Sequence, residues 1–313
     1  MKRKTDNFGK FINKKKNSEV KEAIKQEKRV EKKERQQAIE KRFEDKRKAR
    51  DNRSAPTDHA KGNEQRPSNT GADTMPLNKY IAHCGVSSRR DAAELVKRGK
   101  VLVNDKLVTD PGTKISSTDI IKVNGKKITI SKNLVYILIN KPKDYITTTE
   151  DPQGRKTVLH LIKGATSERV YPIGRLDRNT SGVLLLTNDG ELAQKLSHPK
   201  HEIKKVYHVT LDKSLSKNDF DQIAAGIELE DGFANVDAIA YADAKDKTQV
   251  GLEIHSGRNR IVRRIFESLG YDVRGLDRVM YAGLTKKNVQ RGKWRLLTDK
   301  EIRILKYLNS SIK

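Results

Sequence analysis

Tyr171-Pro-Ile-Gly-Arg-Leu-Asp177-Arg-Asn-Thr-Ser-Gly182-Val-Leu-Leu-Leu-Thr-Asn-Asp-Gly190 is a polar, glycine-bounded loop that runs straight into an apolar strand. The run Val183 to Leu186 has the length of a buried strand rather than a helix. A loop mounted on such a strand is held still, and reactive groups are usually carried on supports of that kind. Between Gly174 and Gly182 the one carboxylate is Asp177. On spacing alone it reads equally well as a turn or cap residue, since aspartate commonly bonds its own backbone.

Two downstream segments share this character. In Ile203-Lys-Lys205-Val-Tyr207-His-Val209 the alternation puts Lys205, Tyr207 and Val209 on one face of a strand. A tyrosine there is most often core. Gly257-Arg258-Asn-Arg260-Ile-Val-Arg263-Arg264-Ile-Phe266 crowds four arginines into the first turns of an expected helix. Cations are disfavoured at that positive end of the dipole, so an anion should compensate: a phosphate, a carboxylate, or both. From Leu134 onward the pattern predicts strands at 134–140, 183–187, 205–212, 233–241, 249–255 and 272–281. It predicts helices at 190–197, 216–225, 258–269 and 299–308, the last opened by a capping box, Thr298-Asp-Lys-Glu301. Strands interleaved with helices make this an α+β domain, 132–313.

Upstream, residues 74–131 form a smaller unit. Leu77, Tyr80 and Ile81 share a face of a short helix that stops at Gly85, and Ser88-Arg-Arg-Asp91 opens a second helix that stops at Gly99. Val101–Val103 turns at Asn104-Asp105 into Leu107-Val108, and Asp119–Val123 is a strand ended by Asn124-Gly125. Residues 1–73 differ in kind. They carry 23 Lys and Arg against 13 Asp and Glu, with only Phe8, Phe11 and Phe43 as aromatics. Such a segment buries too little apolar surface to offset chain entropy. It reads as a basic tail, marginally helical over 18–50, with a linker from Arg53 to Asp73. An electrostatic arm for RNA and a solubilising tail explain it equally.

The chain of 313 residues has a formal net charge of +25. A surplus this large points to a polyanionic partner, because Lys and Arg at phosphates release condensed counterions. The apolar runs are too short to span a bilayer, and no apolar stretch follows the basic start. Cys84 is the only cysteine, and the seven histidines make no metal-binding spacing. A cytoplasmic protein without a metal or membrane anchor is expected.

Leu77-Asn-Lys-Tyr-Ile-Ala, Gly85-Val-Ser-Ser-Arg-Arg-Asp-Ala, Gly99-Lys-Val-Leu-Val-Asn and Asp119-Ile-Ile-Lys-Val resemble the alpha-L RNA-binding module. The run Gly-Arg-Leu-Asp-x-x-Thr-Ser-Gly, its apolar strand and Thr-Asn-Asp-Gly resemble bacterial pseudouridine synthases, with the Lys-x-Tyr-x-Val strand and the Gly-Arg-Asn-Arg helix in the same order. More narrowly, the whole resembles the subfamily that modifies ribosomal RNA and carries an N-terminal alpha-L module. Ile261 and Ser256 depart from the family, which commonly has Gln and an acidic residue there.

The resemblance implies a small alpha-L domain followed by a catalytic domain on a mainly antiparallel mixed sheet. It implies isomerisation of a uridine in ribosomal RNA, of the large subunit before the small, with no cofactor. The expected partner is ribosomal RNA or an assembling ribosomal subunit, and the expected state a monomer. Asp177 is then the catalytic carboxylate, acting as nucleophile at C1′ or base at C2′. Tyr207 stacks on the extruded base or assists proton transfer, and Arg263 pairs with Asp177. Arg89, Arg90, Lys97 and Arg98 face RNA phosphates from the second helix, and Arg175, Lys205, Arg258, Arg260 and Arg264 from the catalytic domain. A non-catalytic ribosome-assembly factor fits the charge and the small module equally well; the pairing of Asp177 with Tyr207 separates the two.

Overall fold

The computed structural model describes residues 74–130 and 133–308. The expected tail helix and linker lie outside these residues.

The first part comprises β1 (Met75–Pro76), α1 (Leu77–His83), α2 (Arg89–Lys97), β2 (Val101–Val103), β3 (Lys106–Leu107), β4 (Lys114–Ile115), β5 (Ile121–Val123) and β6 (Lys126–Ile128). Gly85, just beyond α1, takes φ +76, the left-handed conformation that ends a helix. The Asp91 backbone N–H donates to Ser88 Oγ and caps α2 as its sequence predicts. Helical periodicity then turns Leu77, Ile81, Ala92 and Val96 inward onto Val101, Ile121 and Val123. Arg89, Arg90, Lys97 and Arg98 are left exposed on α2. Asn104 and Asp105, both at positive φ, make the tight turn from β2 to β3.

The second part comprises β7 (Tyr136–Lys141), α3 (Val158–Leu161), β8 (Tyr171–Ile173), β9 (Ser181–Thr187), α4 (Gly190–Ser197), β10 (Lys205–Leu211), α5 (Lys217–Ala225), β11 (Ile227–Leu229), β12 (Gly232–Ala234) and β13 (Ala238–Tyr241). It continues with β14 (Gln249–Ile254), α6 (Ile261–Glu267), β15 (Val273–Tyr281), β16 (Leu284–Thr285), β17 (Trp294–Leu296) and α7 (Asp299–Tyr307). The main sheet runs β13-β14-β10-β15-β9-β7-β17, with β8 on β9 and β16 on β15. Its neighbours are antiparallel except β9 and β15, which run parallel. This is the mainly antiparallel mixed sheet that the resemblance implies. Every residue of β7 and β9 is buried, because both faces are covered. Leu184 and Leu186 point into one core with Ile139, Val209 and Phe266, while Val183 and Leu185 point into the other with Leu192, Leu196 and Leu305.

Two elements depart from the sequence reading. The expected strand 233–241 divides: β12 folds back on β11, and β13 joins the sheet edge beside β14. Asn235 and Asp237, poor strand formers, fall at the break. The expected helix 258–269 begins only at Ile261, because Arg260 is left-handed at φ 48. Among the strands not foreseen, β8 carries Pro172, whose ring masks the strand pattern.

Candidate active site

The loop from Gly174 to Thr180 joins β8 to β9 and carries Asp177, half-buried. Its backbone is pinned from below. Lys141, the last residue of β7, is fully buried, and its Nζ donates to carbonyls of Thr180 at 2.7 Å, Asp177 at 3.0 Å, Pro142 at 3.1 Å and Arg178 at 3.2 Å. An ammonium has three protons, so four carbonyls share them. Burial pushes this lysine down to about 8, against the pull of Asp177 and Asp144. From the side, Thr147 Oγ1 donates to Leu176 O at 2.8 Å, and the Asp144 N–H donates to Arg178 O at 2.9 Å.

Asp177 opens onto a cleft of about 280 Å³ whose wall includes Thr180, Lys205, Tyr207, Arg278 and Tyr281 with the Ser256–Arg260 loop. A second recess, of about 300 Å³, borders the other side of the loop at Thr148, Asp151 and Arg155, and both share Arg175, Asp177 and Asn259. Asp177 therefore sits between two connected depressions. Lys205 and Tyr207 come together with it as the alternation of β10 requires. Lys205 Nζ donates to the carbonyls of Ile203 and His255. Its burial, and then the charge of Arg278, push it down to about 8. Arg175 is exposed at the cleft mouth.

The arginine-rich segment finds its anions inside the protein. Arg258 donates to Asp231 Oδ1 at 3.0 Å and to the carbonyls of Asp231, Gly232 and Phe233. Arg264 forms a two-pronged pair with the same Asp231, at 2.6 and 2.9 Å, and Arg260 pairs with Glu267. The β11–β12 hairpin thus supplies the carboxylate that the helix start demands, which answers the electrostatic conflict in its sequence.

Arg263 does not make the expected ion pair. Its Nη1 donates to Val273 O at 2.8 Å, its Nε has no partner, and no ion pair joins it to Asp177 among the described residues. It lies on the inner face of α6, packed toward the start of β15, because the true helix start at Ile261 sets which face points inward.

Sequence reasoning missed four contributors. Lys141 ends an apolar strand as part of Asn140-Lys-Pro, where a buried cation was the available signal. Arg278 lies two residues after the inward-facing Leu276 and so shares its face, and Thr180 sits three residues past Asp177. His255, whose Nδ1 lies 2.7 Å from Asp237, adds a carboxylate-backed ring to the cleft rim. No group of His, Cys, Asp and Glu that could hold a metal ion occurs among the described residues, and none of their helices is long and apolar enough to cross a membrane.

Comparison with known proteins agrees with this geometry. Residues 135–268 match the RNA pseudouridylate synthase family, and residues 75–121 match the S4 domain. The chain is 45% identical over 235 residues to ribosomal large subunit pseudouridine synthase B of Bacillus subtilis, covering 74% of this chain and 96% of the relative. It is 38% identical over 238 residues to the protein of that name from Buchnera aphidicola, covering 73% and 96%. A crystal structure of a pseudouridylate synthase superposes with a TM-score of 0.54 at 28% identity, over 74% of this chain and 99% of that one. With its cleft carboxylate on a pinned loop and an RNA-binding module ahead of it, this chain belongs to the RNA pseudouridylate synthase family.

Proposed function

We propose that the chain converts a specific uridine of large-subunit ribosomal RNA to pseudouridine, acting as a cytoplasmic monomer. The observation that carries the reading is Asp177, held by Lys141 at the edge of a cleft that also contains Tyr207 and a buried arginine. A mere binder of RNA needs no carboxylate inside a basic groove. The names of the Bacillus and Buchnera relatives support the large subunit as the source of the substrate.

The reaction breaks the N1–C1′ bond, forms a C5–C1′ bond, and moves the proton from C5 to N1, so nothing is oxidised and no group is lost. The Asp177 carboxylate acts on the ribose, and Tyr207 supports the base. Neither C1′ nor N1 is accessible in a stacked helix, so the uridine is extruded, most cheaply from a loop. The exposed Arg89, Arg90, Lys97, Arg98 and Arg175 hold the RNA backbone. Lys205, Arg258, Arg260 and Arg264, already bonded within the protein, shape the groove and add positive potential to it. Arg263 contributes to catalysis by supporting α6 beneath the arginine loop.

Pseudouridine mapping of ribosomal RNA from cells with and without this protein tests the proposal. One large-subunit site should disappear and return with the unaltered chain, but not with Asp177→Asn. Loss of a small-subunit site would reassign the substrate, and restoration by Asp177→Asn would remove the carboxylate from the chemistry.

A further inference from the structure

Two residues that line the cleft each hold a buried polar atom with no partner in the protein: Nη2 of Arg278 and Oγ1 of Thr180. The two residues are 3% and 2% exposed. The Arg278 head is fixed from two sides, by Nε donating to Val183 O at 2.8 Å and by the Tyr281 ring, whose centroid lies 4.5 Å away. That leaves a rigid donor aimed at nothing of its own. Buried donors are rarely left so unless something else completes them.

Arg175 is exposed at the cleft mouth, and the deeper cations are engaged. Lys205 bonds carbonyls, Arg258 bonds Asp231 and its neighbours, and Arg260 pairs with Glu267. Arg278 also has a particular neighbour. It is the direct partner of Tyr207 across β10 and β15, while Leu252 flanks Tyr207 on the other side. Adjacent strands lie about 4.8 Å apart, so a flat base resting on the Tyr207 ring presents one edge to an apolar residue and the other to a guanidinium.

We infer that Arg278 reads the extruded base, its Nη2 donating to the oxygen at position 4 of uracil. The inference rests on the uridine-isomerase reading above and adds the group that selects the base. Guanidinium has donors only, and cytosine carries an amino donor at that position, so cytosine leaves Arg278 buried and unpaired. The Thr180 hydroxyl suits N3 in either state, accepting from the N3–H of uracil or donating to a bare N3, so the choice of base falls to Arg278.

Binding to three synthetic RNA hairpins, spanning the mapped site, tests this in the silent Asp177→Asn background. The hairpins carry uridine, cytidine or the ribonucleoside of 2-pyrimidinone, which lacks the 4-oxygen and with it the N3 proton. The uridine hairpin should bind roughly ten- to a hundredfold more tightly than the other two. With Arg278→Met added, the three should fall within about threefold of one another. Equal binding of the uridine and 2-pyrimidinone hairpins overturns the inference, and this comparison needs no change at Arg278, so it stands even if Arg278→Met fails to fold. A uridine preference that survives Arg278→Met overturns it too, and lost turnover with preference intact would make Arg278 a partner of Asp177 instead. Pseudouridine formation on the uridine hairpin by the unaltered chain checks the isomerase reading separately.

Discussion

Gly182 lies against the backbone of Arg278 so closely that a Cβ on it would fall 2.1 Å from the Arg278 carbonyl oxygen and 2.5 Å from its nitrogen. The two residues are paired in the parallel β9–β15 ladder, and Gly182 adopts φ +116 there. This contact brings the start of β9, and with it the Asp177 loop that ends at Thr180, beside the strand that carries the cleft arginine. Glycine is required twice over, for its backbone angle and for the missing side chain. Gly182→Ala should cost about 3 kcal/mol or more in urea unfolding, because backbone cannot yield as a side-chain tip can. A change below about 0.5 kcal/mol would mean that the strands part freely.

Lys141 holds the loop on the other side. Lys141→Met leaves the buried carbonyl of Thr180 without its donor, at a cost of about 1–3 kcal/mol, and leaves those of Asp177 and Arg178 with only the Thr180 and Asp144 backbone N–H groups. Stability should fall, and kcat should fall at least about tenfold, since small misplacement of a reacting group is expensive. RNA affinity, set largely by exposed cations, should stay within about threefold. Measured kcat equal to that of the unaltered chain would show that the loop holds its shape unaided.

Arg263 separates two readings of the arginine helix. Arg263→Gln removes the bond to Val273 O and should lower both the thermal midpoint and kcat, the stability loss being about 1–3 kcal/mol. An unchanged midpoint with turnover abolished would show instead that this guanidinium acts directly on Asp177 during the reaction.

The last helix supplies a pH test. Arg295 bonds Glu301 at 2.7 and 2.8 Å and, with the Thr298 cap, holds its carboxyl down to about 2, below its ordinary value of 4.5. The folded value lies below the unfolded one, so this stabilisation is complete above pH 4.5 and is lost as pH falls toward 2. Solvent screening of this partly exposed pair limits it to about 1 kcal/mol. Urea midpoints of the unaltered chain and Glu301→Gln should differ at neutral pH and converge near pH 2. A gap that persists there would assign the effect to helix propensity.

Much of the site was legible because its signals are local. Asp177 stands in a polar loop that leads into an apolar strand, and Tyr207 shares a strand face with Lys205. The β10 bulge between Val206 and Tyr207 does not disturb that face, since Tyr207 and Val209 lie in one core and Val206 in another. The arginine cluster announced a missing anion but could not name it. Asp231 lies outside the helix, on a hairpin that the expected single strand concealed.

The sequence by itself determined the two-part organisation, the helix caps at Ser88 and Thr298, the buried strand from Val183, and the carboxylate that the loop presents. Those follow from neighbours along the chain, through hydrogen bonds and periodicities of a few residues. Only the tertiary structure decided which cations face that carboxylate. Arg263 and Arg278 look alike in sequence, but the register of β15 on β9 and β10 brings one into the cleft, and the start of α6 at Ile261 turns the other toward Val273. Strand register is fixed by burial across the whole sheet, and no local pattern encodes it.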